Sequence, residues 1–388
     1  MKVHLGMANA TGIRYYVYMN ILALESYYGG SHKAFIDGLS NTGKHNWTIL
    51  TLPAHKWKWR MRHSAITFAQ QSADLLKKGK SWDILFCSDM LNLAEFVALA
   101  PKEIADLPKV IYFHENQLTY PVRVEDERDY QYAMTNLTSA LAADAVWFNS
   151  QFHQKSFLDA LLKFLKSMPD NQPLEVIEKI QEKSSIHYPG VADFPTRPKR
   201  KSGPIRILWA ARWEHDKNPE DFFAALKILK SKKVEFKISV IGQSFRDVPE
   251  IFEKAINDFK DNIEHWGYQE TREKYENILS EADIVVSTAN HEFFGISIVE
   301  AVAAGAYPLV PNRLSYPEIL DIGQNENAEK FFYNGTVKDL AKKLELLAKK
   351  LQEDNLWPNS ISPEKITERF KWKTLAPQYD KAFEEISR

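Results

Sequence analysis

Strand-like and helix-like segments alternate along this chain, and that alternation constrains the fold more than any other feature of the sequence. Short apolar runs lie at residues 21–24, 48–52, 84–88, 110–113 and 145–148. Longer stretches with a helical spacing of apolar residues separate them, such as residues 32–39 and 64–77. Strands that alternate with helices predict a parallel sheet covered by helices.

The same alternation starts again after a polar, proline-rich stretch. Pro195, Pro198 and Pro204 surround a cluster of basic residues, a composition typical of a linker. A second series of apolar runs follows at residues 205–209, 237–241, 284–287 and 307–310. We therefore predict an α/β protein with two Rossmann-like, doubly wound parallel-sheet domains that face each other across a cleft. The predicted domains span residues 19–197 and 203–371, and residues 372–388 form a C-terminal helix that can pack back on the first domain.

Composition narrows the class of protein further. The chain has 388 residues and a formal net charge of −1, so a nucleic-acid partner would have to bind a local basic patch. Its single cysteine, Cys87, excludes an internal disulfide and a cysteine-based zinc site. It also fits a reducing, cytoplasmic compartment. No apolar run is long enough for a transmembrane helix, so we expect no membrane partner.

The first residues of the chain differ from the rest. Residues 1–18 lack the long apolar core of a signal peptide. Met19 directly precedes the first predicted strand. We predict that the fold begins at Met19 and that residues 1–18 are a start-site extension.

A candidate binding motif follows the predicted strand at residues 284–287, at the carboxyl end where doubly wound domains bind ligands. It is the segment HEFFGISIVEA at residues 291–301, which opens a helix. Its helix N-terminus would present phosphate-binding backbone amides, those of Phe294, Gly295 and Ile296. Glu292 and Glu300 can accept hydrogen bonds from sugar hydroxyls. Taken alone, this motif is about equally consistent with a donor site and with two ordinary glutamates around an apolar helix.

A pair of cations follows the first predicted strand of the same half. Arg212 and Lys217 lie in one loop before a helix. Two fixed cations can stabilise the charge of a departing nucleoside diphosphate in place of a divalent ion. A lone pair of this kind is more often two solvated charges, but its position at a strand end beside the two glutamates favours a donor site.

These four residues resemble the donor-binding signature of the glycogen-synthase-like group of retaining glycosyltransferases, which have the GT-B fold. The resemblance covers the second half of the chain. It implies that Arg212 and Lys217 bind the diphosphate, that Glu292 binds the sugar, and that Glu300 binds the ribose. It further implies a glycine-containing turn at Gly242, the base near Tyr268, a nucleotide sugar as co-substrate, and no cofactor or metal ion.

The first half also places polar residues after predicted strands. Gly29 and Gly30 form a turn that can bring the backbone close to a phosphate or sugar, although a plain tight turn is the alternative. His114 directly follows the run at 110–113. A lone histidine is more often structural, but the same glycosyltransferase group commonly has a histidine here that contacts the transferred sugar. Further candidates for the acceptor side are Tyr27, His32, Glu115, Asn116 and Gln117.

Cations and tryptophans interleave in one segment of this half. The segment consists of Lys56, Trp57, Lys58, Trp59 and Arg60. Nucleic-acid surfaces use cations for phosphates and rings for stacked, unpaired bases. This segment alone is equally consistent with a basic loop whose tryptophans pack into the core.

Three long segments resemble the tRNA-queuosine α-mannosyltransferase family: LESYYGGSHK at 24–33, TLPAHKWKWR at 51–60 and YFHENQLTYPV at 112–122. This resemblance extends over nearly the whole chain from Met19. It implies transfer of mannose from GDP-mannose to the queuosine of an aspartate tRNA anticodon. Two alternatives stay open, a retaining transferase for a glycan, lipid or small-molecule acceptor, and a non-catalytic RNA-binding protein on a transferase fold. The oligomeric state is not determined by the sequence.

Overall fold

The computed structural model describes residues 18–122, 129–195, 197, 199–200, 202–244, 248–321, 328–353, 356–357 and 361–387. The predicted extension, residues 1–18, lies outside these ranges except for Tyr18. Met19 is 3% exposed and packs into the core of the first domain.

The first domain is built on a six-stranded sheet in the order β2-β1-β3-β4-β5-β6, in which every pairing is parallel. Its strands are β1 (Asn20–Tyr28), β2 (Asn46–Pro53), β3 (Ile84–Ser88), β4 (Lys109–Phe113), β5 (Ala145–Phe148) and β6 (Ser184–Ile186). Its helices are α1 (Gly30–Thr42), α2 (Trp57–Lys77), α3 (Leu93–Leu99), α4 (Lys102–Ala105), α5 (Tyr130–Ala142), α6 (Gln151–Lys166) and α7 (Val176–Glu182).

The second domain repeats this plan with a six-stranded sheet in the order β12-β11-β10-β7-β8-β9, again parallel throughout. Its strands are β7 (Ile205–Ala210), β8 (Phe236–Ile241), β9 (Ile263–Gly267), β10 (Ile284–Val286), β11 (Tyr307–Pro311) and β12 (Phe332–Tyr333). Its helices are α8 (Pro219–Ser231), α9 (Ile251–Asp258), α10 (Arg272–Glu281), α11 (Ile296–Ala303), α12 (Tyr316–Ile319), α13 (Val337–Glu353) and α14 (Pro363–Thr367). The two parallel sheets confirm the predicted α/β fold class.

The last helix, α15 (Trp372–Ile386), packs on the sheet of the first domain rather than on the second. Trp372, Leu375, Tyr379 and Phe383 form one face of this helix and are all buried. The Tyr379 hydroxyl donates a hydrogen bond to the Tyr188 carbonyl at 2.8 Å. The chain therefore crosses from the first domain to the second and back.

Two element boundaries differ most from the predicted ones. The first strand continues to Tyr28 instead of ending at residue 24, because it pairs with β2 through Glu25 and again, after a register shift, at Tyr28. Helix α2 begins at Trp57 rather than at residue 64. The interleaved cations and tryptophans are therefore its first turn and not a loop. Among the described residues, no helix combines the length and apolar composition needed to span a lipid bilayer.

Candidate active site

The carboxyl ends of the two sheets meet at a set of contacts between the domains. Ser150, which follows β5, donates its hydroxyl proton to the Phe293 carbonyl at 2.5 Å. The first two amides of α6, those of Gln151 and Phe152, donate to the Glu318 carboxylate at 2.8 and 3.1 Å. Glu318 belongs to the second domain, so a carboxylate of one domain caps a helix N-terminus of the other. These contacts place the loops after the strands on both sides of one cleft.

Arg212 lies in this cleft because β7 ends two residues before it and the neighbouring strand ends fix the loop. The Ala211 amide donates to the Ile241 carbonyl at 3.1 Å. A Cβ atom on Gly242 would lie 1.8 Å from the Ala211 oxygen, so the turn needs glycine. Gly242 thus packs against the loop that carries Arg212. This packing accounts for the glycine without a contact to the donor.

The Arg212 guanidinium faces both domains. Its centre lies 5.8 Å from the ring of Tyr120, a residue of the first domain, and its Nε is 3.4 Å from Glu214. Burial lowers the pKa of Arg212, but Tyr120, Glu214 and Glu115 together raise it above its usual value. Arg212 is therefore a permanent cation that bridges the cleft.

Lys217 is brought to Glu292 by hydrogen bonds between two loops. The amide of Asn290, after β10, donates to the Asp216 carbonyl at 2.8 Å. The Lys217 ammonium then donates to the His291 carbonyl at 2.8 Å and lies 3.5 Å from Glu292 and 2.9 Å from Asp216. Burial raises the pKa of Glu292, but Lys217, His291 and Arg212 outweigh it and keep the pKa below its usual value. Glu292 is an ionised acceptor next to two cations.

The helix N-terminus predicted to bind phosphate forms as expected. Gly295 precedes α11 with φ of 90°, a left-handed conformation that favours glycine. Among the described residues, none accepts a hydrogen bond from the amides of Phe294, Gly295 or Ile296. A small depression lies beside this turn, and its polar lining includes Lys217, Ser287, Glu292, Ser297 and Tyr316.

Glu300 lies one turn inside α11 and is engaged by α10. Its two carboxylate oxygens accept hydrogen bonds from Arg272 and from the Tyr275 hydroxyl, both at 2.8 Å. Its orientation is therefore fixed before any ligand arrives. Tyr268 directly follows β9 and is 65% exposed, so its ring is open to a planar partner.

The backbone of His114 is held in place by the buried side chain of Asp89. Its amide donates to Asp89 at 2.8 Å, and its carbonyl accepts from Asn149 at 2.9 Å. Burial and the positive charge of His32 lower the pKa of the His114 ring well below its usual value. His114 is therefore neutral at physiological pH and can both donate and accept a hydrogen bond.

His32 occupies the space beneath His114. It is 6% exposed, its ring centroid lies 4.0 Å from that of His114, and its Nδ1 is 3.3 Å from Glu25. The sequence assigns His32 to the acceptor, but the structure buries it behind His114. The donor atoms of Glu25, His32 and His114 lie within 4.8 Å of one another. The two rings are tilted by 34°, and His32 is paired with Glu25.

The buried pair of His32 and Glu25 predicts a pH-dependent stability. Burial lowers the pKa of His32, but Glu25 and Asp89 raise it to about 9. Because this pKa exceeds the unfolded value of about 6.5, the pair stabilises the fold fully below pH 6.5 and less as the pH rises through 9. We expect the loss of unfolding free energy in His32→Gln to be up to about 3 kcal/mol at pH 6 and to shrink toward pH 9.5 in urea titrations.

His187 provides the matched control for this measurement. It stacks on Trp147 at 4.0 Å, and burial lowers its pKa to about 4. Because its folded pKa lies below the unfolded value of about 6.5, both states are neutral above about pH 7.5, and the effect of His187→Gln should be constant from there to pH 9.5. A constant effect of His32→Gln over the same range would contradict the charged pair.

The remaining acceptor-side candidates divide into two groups. Tyr27 and Glu115 are partly exposed toward Arg212. Asn116 is fully buried, and its side-chain oxygen accepts from the amides of Leu118 and Thr119. It shapes the loop after β4. Gln117 is 8% exposed, and its amide donates to Asn136, so these two candidates lie inside the domain.

The glycine turn has a packing explanation. A Cβ atom on Gly29 would lie 2.4 Å from Ala54, whereas Gly30 has φ of 53° and open space around it. Only Gly30 leaves the backbone accessible.

Arg60 is also interior: it is 7% exposed and donates hydrogen bonds to His63, His55 and the Pro53 carbonyl. Lys56, Lys58 and Trp59 are exposed, and Trp57 is half-buried.

Several site residues had not been predicted. Asp89 directly follows β3. A polar residue directly after a strand is the same signal that indicated His114, so Asp89 could have been predicted. Glu25 is an interior acid in a strand. Tyr120, Arg272 and Tyr275 reach the site only through loop and helix packing that has no sequence signature.

Solved structures of two synthases share this fold. The catalytic domain of starch synthase IV from Arabidopsis thaliana matches 96% of this chain with a TM-score of 0.69 and 11% identity, and 100% of that chain is covered. Sucrose-phosphate synthase from Thermosynechococcus elongatus matches 95% with a TM-score of 0.67 and 14% identity, covering 99% of that chain. Residues 192–358 match the family model of glycosyl transferases group 1. The fold and this family match thus define a glycosyltransferase of the GT-B class.

The first half identifies the family within this class. Residues 20–191 match the family model of the tRNA-queuosine alpha-mannosyltransferase N-terminal domain. The tRNA-queuosine alpha-mannosyltransferase of Drosophila melanogaster is 40% identical over 380 residues, which cover 93% of this chain and 95% of the relative. The chain belongs to the tRNA-queuosine alpha-mannosyltransferase family.

Proposed function

We propose that this protein transfers mannose from GDP-mannose to the queuosine nucleoside of aspartate tRNA. The observation that carries the proposal is that the acceptor-side half matches the family's own N-terminal domain, while the facing half presents Arg212, Lys217 and Glu292 in one cleft. A relative named for this activity aligns over almost the full length of both chains.

The donor is held by charge and by backbone amides in this proposal. Arg212, Lys217 and the amides at Gly295 bind the diphosphate, and these groups supply the charge that a divalent ion would otherwise provide. Glu292 accepts from hydroxyls of the sugar and Glu300 from the ribose. The exposed ring of Tyr268 is the candidate contact for the base. His114, neutral and fixed by Asp89, contacts the transferred sugar.

The reaction proceeds with retention of configuration. The bond between C1 of the sugar and the diphosphate oxygen breaks first, and the two cations stabilise the negative charge that develops on the diphosphate. The acceptor hydroxyl forms its bond to C1 from the same face. Its proton passes to the departing diphosphate oxygen, so no second carboxylate is needed as a nucleophile.

A reconstituted transfer assay tests this function. Labelled GDP-mannose, the purified protein and tRNA that carries queuosine should yield labelled tRNA, in the presence of EDTA as well as without it. The same tRNA without queuosine should stay unlabelled. Labelling of a lipid or glycan instead would favour another acceptor, and tRNA binding with no transfer would favour a non-catalytic RNA-binding protein. Loss of transfer in EDTA would contradict the metal-free donor site alone.

A further inference from the structure

We propose that the exposed ring of Trp59 is a stacking platform for an unpaired base of the tRNA substrate, and that Lys56, Lys58 and Arg62 bind neighbouring phosphates. This inference rests on the proposed function and adds the surface that holds the RNA. The four side chains lie in the first two turns of α2 or directly before it.

Trp59 is 60% exposed, whereas every other tryptophan among the described residues is buried or half-buried. A tryptophan ring offers a large apolar area, and burying it is normally favourable. One face of the ring stacks on His63, with ring centroids 4.8 Å apart and an angle of 29°. Most of the remaining ring surface is left to solvent, and a flat partner can occupy it.

The His63 ring that stacks on Trp59 is held in place by the buried Arg60. Arg60 donates to Nε2 of His63 at 2.7 Å, and His63 Nδ1 lies 2.9 Å from the Thr67 hydroxyl. Burial and the Arg60 charge lower the pKa of His63, which keeps the ring neutral and able to accept from Arg60. The platform is therefore ordered before RNA arrives, and this ordering lowers the entropic cost of binding.

The surroundings of Trp59 are basic. Lys56, Lys58 and Arg62 are exposed, and the first turn of α2 contains no acidic residue. Cations at a helix N-terminus are unfavourable without a compensating anion. The positive charge at the start of α2 therefore favours binding of an anion. Phosphates of a nucleic acid supply the missing charge.

The start of α2 adjoins the acceptor side of the cleft through Trp57. The ring centroid of Trp57 lies 5.1 Å from that of Tyr132, and Trp57 and Tyr27 pack on one cluster. The ring centroid of Tyr27 is in turn 5.9 Å from that of His32, which packs against His114. A line of packed rings thus connects the start of α2 to the sugar-binding histidine. An RNA held at His114 can therefore also contact this end of α2.

The chemistry of the surface favours single-stranded RNA over a protein partner. Protein interfaces are centred on apolar cores from which lysine is depleted. Here one exposed aromatic ring is flanked by lysines and an arginine, the combination that binds unpaired bases together with their phosphates.

Binding of a queuosine-containing anticodon stem–loop RNA to Trp59→Ala, measured by fluorescence anisotropy, tests the proposal. Loss of one base–aromatic stack corresponds to about 1–3 kcal/mol, so we expect the Kd to rise about 5- to 150-fold. Trp59→Phe should recover most of the affinity. Binding of a fully paired duplex of the same length should change little, and the KM for GDP-mannose should stay unchanged.

The matched control is Leu346→Ala, which truncates another exposed apolar side chain, on α13 of the second domain, and should leave RNA binding unaltered. If wild-type protein binds and labels the tRNA but Trp59→Ala binds it equally well, this inference is wrong and the proposed function stands. If wild-type protein neither binds nor labels the tRNA, the proposed function itself fails.

Discussion

Arg212→Ala is expected to lower kcat by about 10²- to 10³-fold, the usual cost of removing one group that stabilises developing negative charge. Arg212 is the cation that faces both domains, next to Tyr120 on one side and Glu214 on the other. Its loss would leave the departing diphosphate with Lys217 and the α11 amides alone. Because the charge grows during bond breaking, kcat should fall more than the KM for the donor rises.

Two further variants make this result interpretable. Arg212→Lys should recover only part of the activity, because a lysine keeps the charge but not the planar, forked donor geometry. Arg206→Ala removes an arginine from the same strand region, where it pairs with Glu264 at 3.2 Å on the surface, and should change kcat less than twofold. Near-normal turnover of Arg212→Ala at saturating donor would disprove the proposed charge stabilisation.

Trp372→Ala is expected to destabilise the protein by about 3–5 kcal/mol, the range for truncating a buried tryptophan. Trp372 is 9% exposed and begins the helix that docks on the first domain. Its ring fills a slot between two glycines: a Cβ atom on Gly38 would lie 2.0 Å from it, and one on Gly190 would lie 2.2 Å from it. Urea unfolding followed by circular dichroism measures the effect.

The slot allows a stronger test by a double-mutant cycle. Gly38→Ala should be destabilising in the wild type, because the new methyl group collides with the Trp372 ring. In the Trp372→Ala background the same change should be neutral or stabilising by about 0.5–1 kcal/mol, since Gly38 lies within α1 and alanine favours a helix. Equal effects of Gly38→Ala in both backgrounds would show that Trp372 does not occupy the slot.

The fold could be predicted from the sequence because each central strand is an apolar run followed by a helix. β3 and β5 are fully buried, β4 is buried except at Lys109, and these strands stand out for that reason. β6 and β12 were not predicted, since they are only three and two residues long and partly exposed. Their place is set by pairing with a neighbour and not by their own composition.

The candidate site was predictable where a side chain lies within two residues after the end of a strand. Arg212 and His114 satisfy that rule, and the structure brings both to the cleft. It fails for His32 and Arg60, which the sequence shows only as polar residues near a turn. Whether such a side chain points outward or supports another from inside depends on tertiary packing, here on His114 above His32 and on His63 beside Arg60. The neighbouring side chains in the folded structure decide this, and residue type does not.

The return of α15 to the first domain has a mechanical consequence. The outgoing and returning segments lie side by side where Val191 and Lys371 form a parallel bridge. Two adjacent crossings constrain the relative motion of the two domains more than a single linker would. Both crossings therefore help to keep Arg212 aligned with His114 across the cleft.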